Sequence, residues 1–190
     1  MALDTIFRLM QDDERLVERI SQKEDIWEGK IFSVERLEVE LSDGSKDYRE
    51  IVRHHGGAGV CAVRDGKICL VRQYRVALGR MSLEIPAGKL DPGEDPAVCA
   101  ARELAEETGL VADRLERLAV SAGAPGFNNE KTRIFVAHGL HQGKASPDEG
   151  ELVDVVWLPV QDMLEAVRAG IIEDAKTVVS VLAAAAGLAG

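Results

Sequence analysis

Residues 88–110 read GKLDPGEDPAVCAARELAEETGL, and the second half of this stretch is a helix with both ends marked. Asp95 is a good N-cap, Pro96 fits the first helical position where no N–H is needed, and Gly109 can take the left-handed conformation that ends a helix. On a wheel of about 100° per residue, Ala97, Val98, Ala101, Leu104 and Ala105 gather on one side, and Glu103, Glu106 and Glu107 on the other with Cys99 beside them. The spacing predicts an apolar packing face opposite an acidic stripe. Glu103 and Glu107 are four residues apart and Glu103 and Glu106 three, so the like charges destabilise an isolated helix by about 0.2–0.5 kcal/mol per pair. Arg102 lies close in sequence, but one guanidinium cannot neutralise three carboxylates. A hard divalent cation would, since Mg²⁺ favours carboxylate and carbonyl oxygens and keeps waters that a substrate phosphate can replace. A solvated acidic face would carry the same stripe, and the loop that precedes the helix separates the two readings.

Outward from the helix, residues 5–20 show helical spacing of Ile6, Leu9, Met10, Leu16, Val17 and Ile20. Trp27 to Leu41 alternates with a phase slip between Val34 and Leu37, which predicts a bulged strand. The turn signal Ser42-Asp43-Gly44-Ser45 and the extended run Tyr48 to Arg53 complete a hairpin, marginal in isolation. Gly59–Val63 and Lys67–Arg72 read as a second hairpin about Arg64-Asp65-Gly66, followed by a short strand at 82–86. Further strands are expected near 115–121, 132–139 and 153–158, and helices over 161–169 and 174–188. The chain is therefore α+β, divided into an N-terminal helix and hairpin, residues 1–53, and a main domain, residues 54–190.

The 190 residues carry 33 Asp and Glu against 23 Lys and Arg, a formal charge of −10. This excludes a nucleic-acid groove or an anionic membrane as the main partner, since both need clustered positive charge. Three cysteines without CxxC spacing indicate neither a disulfide framework nor a zinc site. With no signal-peptide core and no 18-residue apolar run, a cytoplasmic protein is expected. His54, His55, His138 and His141 lack ligand spacing, and Cys99 reads as a packing residue.

Gly88, five residues, Glu94, seven residues, then Arg102-Glu103-Leu104-Ala105-Glu106-Glu107-Thr108-Gly109-Leu110 resembles the Nudix box without a departure. Seven fixed letters at about one in fifteen each would recur at on the order of one start position in 10⁸, so chance does not explain the match. The resemblance implies a Nudix fold, an α/β/α sandwich with a mixed sheet, and hydrolysis of a nucleoside diphosphate linked to another moiety. It also implies that Glu103 and Glu107 bind Mg²⁺, with Mn²⁺ as the alternative ion, that Glu106 assists, and that the Ala87 carbonyl is a further ligand. Glu94 and Arg102 are expected to hold the loop to the helix. Metal ions between the carboxylates and a pyrophosphate would polarise phosphorus and prepare an attacking water.

The flanks are similar to ADP-ribose pyrophosphatases: Arg72-Gln73-Tyr74-Arg75, Leu83-Glu84-Ile85-Pro86-Ala87-Gly88, Pro125 sixteen residues after Gly109 with the segment through Glu130, and Asp174-Ala175-Lys176-Thr177. The resemblance covers roughly residues 25–185 and implies cleavage of ADP-ribose to AMP and ribose 5-phosphate by a homodimer that exchanges its N-terminal hairpins. Position by position, it implies substrate contacts by Arg49, Arg75, Glu84 and Glu130. Trp27 either stacks on adenine or closes the hairpin against the core, and Arg49 and Arg75 have a surface ion pair as the alternative. The proton acceptor is expected on the polar segment 146–151, at Glu149, with Glu151 and then Glu130 as competitors. GDP-mannose, ADP-glucose, NADH or FAD are rival substrates, and a non-catalytic nucleotide sensor is the rival from another class.

Overall fold

The computed structural model describes residues 2–143 and 152–189. It divides into two compact units, Met1–His54 with Ala124–Asn129, and His55–Gly123 with Glu130–Gly190. No helix among the described residues is long and apolar enough to cross a membrane.

The first unit holds helix α1 (Ala2–Leu9) and an antiparallel sheet of β1 (Arg19–Glu28), β2 (Phe32–Glu40) and β3 (Lys46–His54), in the order β1-β2-β3. The hairpin of β2 and β3 is the expected one, but the helix expected over 5–20 stops at Leu9 and its last residues begin β1. A short helix with no face buried has little to extend it, and Leu3, Ile6, Phe7 and Leu9 are all exposed. β1 gave no alternation to read because all ten of its residues are exposed.

The phase slip inferred in β2 is not a bulge. The pairing of β2 with β3 is continuous from Phe32–His54 to Glu40–Lys46, and the irregularities lie in β1, at Ile20/Gln22 and Asp25/Trp27. Glu35 occupies the inward face together with Leu37 and Val39, with 8% of its surface exposed. Lys23 Nζ at 2.7 Å and Arg53 Nε at 2.8 Å compensate its charge. A buried carboxylate in an apolar register looks like a change of phase when only hydrophobicity is counted. The segment 124–129 joins β3 through Val52 N–H donating to the Phe127 carbonyl (2.7 Å) and Asn129 N–H donating to the Val52 carbonyl (3.2 Å).

The second unit contains β4 (Gly57–Cys61), β5 (Val63–Arg64), β6 (Lys67–Arg75), β7 (Arg80–Glu84), β8 (Ala87–Lys89), α2 (Pro96–Thr108), β9 (Leu110–Ser121), β10 (Thr132–Gln142), β11 (Val153–Pro159), α3 (Val160–Arg168) and α4 (Ala175–Ala185). One sheet runs β8-β4-β10-β9, with β4 and β10 parallel, and the other β11-β6-β5 with β7 also on β6. The second hairpin is shorter than expected. Only Val63 and Arg64 pair with Ile68 and Lys67, about Asp65 and Gly66 at φ 53° and 70°, while β4 pairs with β8 and β10 instead.

Alternate residues of the same strands feed two cores, as the two-residue period of a strand requires. Cys61, Ile68, Leu70, Ile134 and Val136 pack with Val160, Met163 and Val181 of α3 and α4. Ala58, Val60, Cys69, Phe135 and Ala137 pack with Ala100 and Leu104 of α2. Sheets covered by helices on both faces form the α/β/α sandwich, and β4 is buried at every position because neither of its faces meets water.

Candidate active site

Helix α2 is built as its caps predicted. Asp95 accepts from Ala97 N–H (2.8 Å) and Val98 N–H (3.3 Å), Pro96 opens the helix, and Gly109 closes it at φ 70°. Its orientation differs from the wheel reading. Val98 is 59% exposed and Ala101 is exposed, while Cys99, Ala100, Glu103, Leu104 and Glu107 are buried. The carboxylate stripe therefore lies on the packed side, which rules out the solvated acidic face for Glu103 and Glu107. Small alanines bury little area whichever way they point, so the wheel had no strong apolar vector to follow.

Gly88 makes this packing feasible. A Cβ at Gly88 would lie 1.9 Å from Glu103 Oε1, so the carboxylate rests against bare backbone. Glu107 Oε2 accepts from Ala87 N–H at 2.9 Å. Ahead of the helix, Glu94 Oε2 accepts from Asp91 N–H at 3.0 Å, and Arg102 grips both Glu94 oxygens through Nε and Nη2 at 3.1 Å each. This fork, with the Asp91 N–H, holds the Glu94 carboxyl at about 2. The third nitrogen of Arg102, Nη1, donates to Glu103 Oε1 (2.7 Å) and Glu106 Oε2 (3.0 Å). Loop and helix are thus tied as the box implied.

These residues open onto a cleft of about 380 Å³. Glu103, Glu107, Asp91 and Glu130 supply acid to its wall, Arg75, Lys89, Arg102 and Lys176 supply positive charge, and Ala87 and Gly88 supply backbone. Glu84 lies behind it, 4% exposed, accepting from Arg75 Nε and Nη2 (2.7 Å each) and from Lys176 Nζ (2.6 Å). Burial pushes the Glu84 carboxyl up, but the two cations outweigh it and hold it at about 2.

Of the residues singled out by sequence, the structure brings Ala87, Glu103, Glu107, Arg75 and Glu130 to one cleft. Glu106 is less buried and meets Arg102. Trp27 and Arg49 belong to the other unit. There Trp27 packs on Phe32 with ring centroids 5.0 Å apart, and Arg49 pairs with Glu18 (2.6 Å) and Asp47 (2.5 Å). Glu149 and Glu151 lie outside the described residues. Lys176 lines the cleft without having been assigned a role; the only signal was its place in Asp174-Ala175-Lys176-Thr177, at the start of α4. Cys99 is a buried thiol that burial pushes up to about 12, as a packing residue should be.

The donor set fits a hard divalent cation. Its two buried carboxylates, Glu103 and Glu107, are held against the backbone of Gly88 and Ala87. Among the described residues no three acidic, histidine or cysteine side chains form a ready cage. Arg102 stands between Glu103 and Glu106, and Ala87 N–H engages Glu107. Mg²⁺ does not demand such a cage, because it is commonly held by one or two carboxylates, waters and substrate phosphates.

A NUDIX domain model matches residues 53–179. The chain is 42% identical over 165 residues to the ADP-ribose pyrophosphatase of Bacillus subtilis (strain 168), covering 85% of this chain and 89% of that protein. It is 41% identical over 167 residues to the methanol dehydrogenase activator of Bacillus methanolicus, covering 86% and 90%. A crystal structure of an ADP compounds hydrolase superposes with a TM-score of 0.80 at 25% identity, covering 93% of this chain and 97% of that one. With the box intact and its carboxylates packed against the strand that carries Gly88, the chain belongs to the Nudix family.

Proposed function

We propose that this protein hydrolyses the pyrophosphate bond of ADP-ribose to AMP and ribose 5-phosphate with Mg²⁺, or Mn²⁺ in its place. The observation that carries the reading is the one cleft whose lining holds the buried Glu103 and Glu107 together with Arg75 and Lys176. Buried carboxylates and two fixed cations in one lining suit a diphosphate that arrives with a divalent ion. The names borne by the B. subtilis relative and the structural neighbour favour an ADP-linked substrate.

Glu103 and Glu107, with Glu106 and the Ala87 carbonyl, would hold the ion. When bound, it would polarise the phosphorus and lower the pKa of the attacking water. Arg75 would orient the phosphates, Glu130 would contact substrate, and Glu149 would accept the proton of the attacking water. Arg49 and Trp27 of the N-terminal unit would complete the substrate contacts. The exposed apolar side chains of α1 and the exposed β1 support a homodimer built through residues 1–53, in a cytoplasmic setting that suits three free thiols.

The test is release of phosphomonoester from ADP-ribose, ADP-glucose, GDP-mannose, NADH, FAD and dATP with Mg²⁺. Preference for ADP-ribose supports the reading. Preference for another diphosphate moves the substrate, and binding without turnover leaves a sensor.

A further inference from the structure

The four cations of the cleft are not equivalent. Arg102 is engaged by Glu94, Glu103 and Glu106, and Lys89 is exposed at the end of β8. Arg75, nine residues before it, and Lys176, 92 residues after it, share one buried carboxylate, Glu84. Lys176 Nζ also donates to Asp174 Oδ1 at 2.9 Å. The placement is reinforced from below. Asp174 caps α4 by accepting from Thr177 N–H (3.1 Å) and from the Thr177 hydroxyl (2.5 Å). That hydroxyl in turn accepts from Ile85 N–H at 2.8 Å. Thr177 is fully buried, so the first turn of α4 is pinned to the residue that follows Glu84.

We propose that Lys176 is a phosphate-contacting residue of the cleft, and that Glu84 is the positioning residue that sets Lys176 and Arg75 side by side rather than a substrate ligand itself. An ammonium has three N–H donors, of which Glu84 and Asp174 take two and thereby fix the direction of the third. Arg75 gives two of its five N–H donors to Glu84. Both oxygens of Glu84 are occupied by these cations, so it presents its charge to them and not to the cleft. Glu84, Asp174, Arg75 and Lys176 sum to zero charge. The group therefore offers directed donors to a phosphate oxygen without holding the net positive charge that would collapse onto the acidic wall. This inference rests on the diphosphate reading above and gives it a second cation that the sequence did not assign.

The experiment is calorimetric titration of the full-length protein with methylenediphosphonate in saturating Mg²⁺, for wild type, Lys176→Met and Lys176→Arg, with ADP-ribose kinetics alongside. Lys176→Met should bind the probe about 10- to 100-fold more weakly, the worth of one charge-assisted hydrogen bond, and raise KM more than it lowers kcat. Lys176→Arg should recover most of the affinity, which a purely structural role for the ammonium would not require. Equal affinity of wild type and Lys176→Met, or no binding of the probe to wild type, overturns the proposal. If Lys176→Met proves unstable, failure of a stably folded Lys176→Arg to bind better than one tenth as tightly as wild type, about one charge-assisted bond, overturns it as well. The probe has neither base nor ribose, so an enzyme inactive on ADP-ribose would sink the substrate assignment and leave this result standing or falling by itself.

Discussion

The Glu103 carboxylate occupies the space that a side chain on Gly88 would need: a Cβ there would stand 1.9 Å from Oε1 and 2.0 Å from the carboxyl carbon. The glycine's backbone is not in the left-handed region, so its role is close approach and not a turn. Gly88→Ala should therefore fold and push Glu103 out of place. We expect turnover to fall by about 10²-fold or more, the scale of a misplaced catalytic group, and Mn²⁺ affinity measured by EPR to weaken with it. Wild-type Mn²⁺ affinity in Gly88→Ala would show that Glu103 is not a ligand.

Glu107 separates chemistry from packing. A glutamine can still accept from Ala87 N–H through its carbonyl, so Glu107→Gln should keep the wild-type melting temperature. Loss of the charge should lower kcat by about 10²- to 10³-fold, the several kcal/mol that a correctly held Lewis acid supplies. Glu106→Gln should cost less, because Glu106 is more exposed and its contact is Arg102. The two kcat values, measured at saturating Mg²⁺, check the order; equal losses would make Glu106 a full partner in the site.

Acid should unfold the protein partly through Glu84. Its carboxyl is held at about 2 in the folded protein against an ordinary value of 4.5, so the unfolded chain binds the proton more tightly. The stabilisation is complete above about pH 4.5 and is lost as pH falls toward 2, on the order of 3 kcal/mol in all. Urea unfolding from pH 6 to pH 3 should show a steeper fall for wild type than for Glu84→Gln. Parallel curves would assign the acid sensitivity elsewhere.

What the sequence made legible followed the density of its signals. The caps of α2 are local chemistry, and Asp95, Pro96 and Gly109 do what their types prescribe. The box residues converge because their spacing is fixed by a helix and a short loop. The face of α2 was not legible, because Val98 and the alanines bury too little to define a side, and Gly88 admits carboxylates where a packing face would normally admit only carbon. β1 was hidden by uniform exposure, and Glu35 by being charged in an inward register. Lys176 is held at the cleft by a contact with Glu84, 92 residues earlier in the chain, and no spacing in one sequence announces such a contact. The positions of Trp27 and Arg49 within the N-terminal sheet are local, whereas their proposed contacts with substrate depend on assembly.

Arg102 provides the most direct test of how the carboxylates are compensated. Its Nη1 is a cation shared by Glu103 and Glu106, while its other two nitrogens hold Glu94. Arg102→Gln removes both functions, and Glu94→Gln weakens only the second. Both variants should melt below wild type. Only Arg102→Gln leaves like charges on the stripe without that guanidinium, so a divalent cation has more repulsion to relieve there. Ligand-linked stabilisation follows the affinity for the folded state. Titration with Mg²⁺ should thus raise the melting temperature of Arg102→Gln by more than it raises that of wild type or Glu94→Gln. An equal rise in all three would mean that Arg102 and the metal do not compensate the same carboxylates, and its part would reduce to tying the loop to the helix.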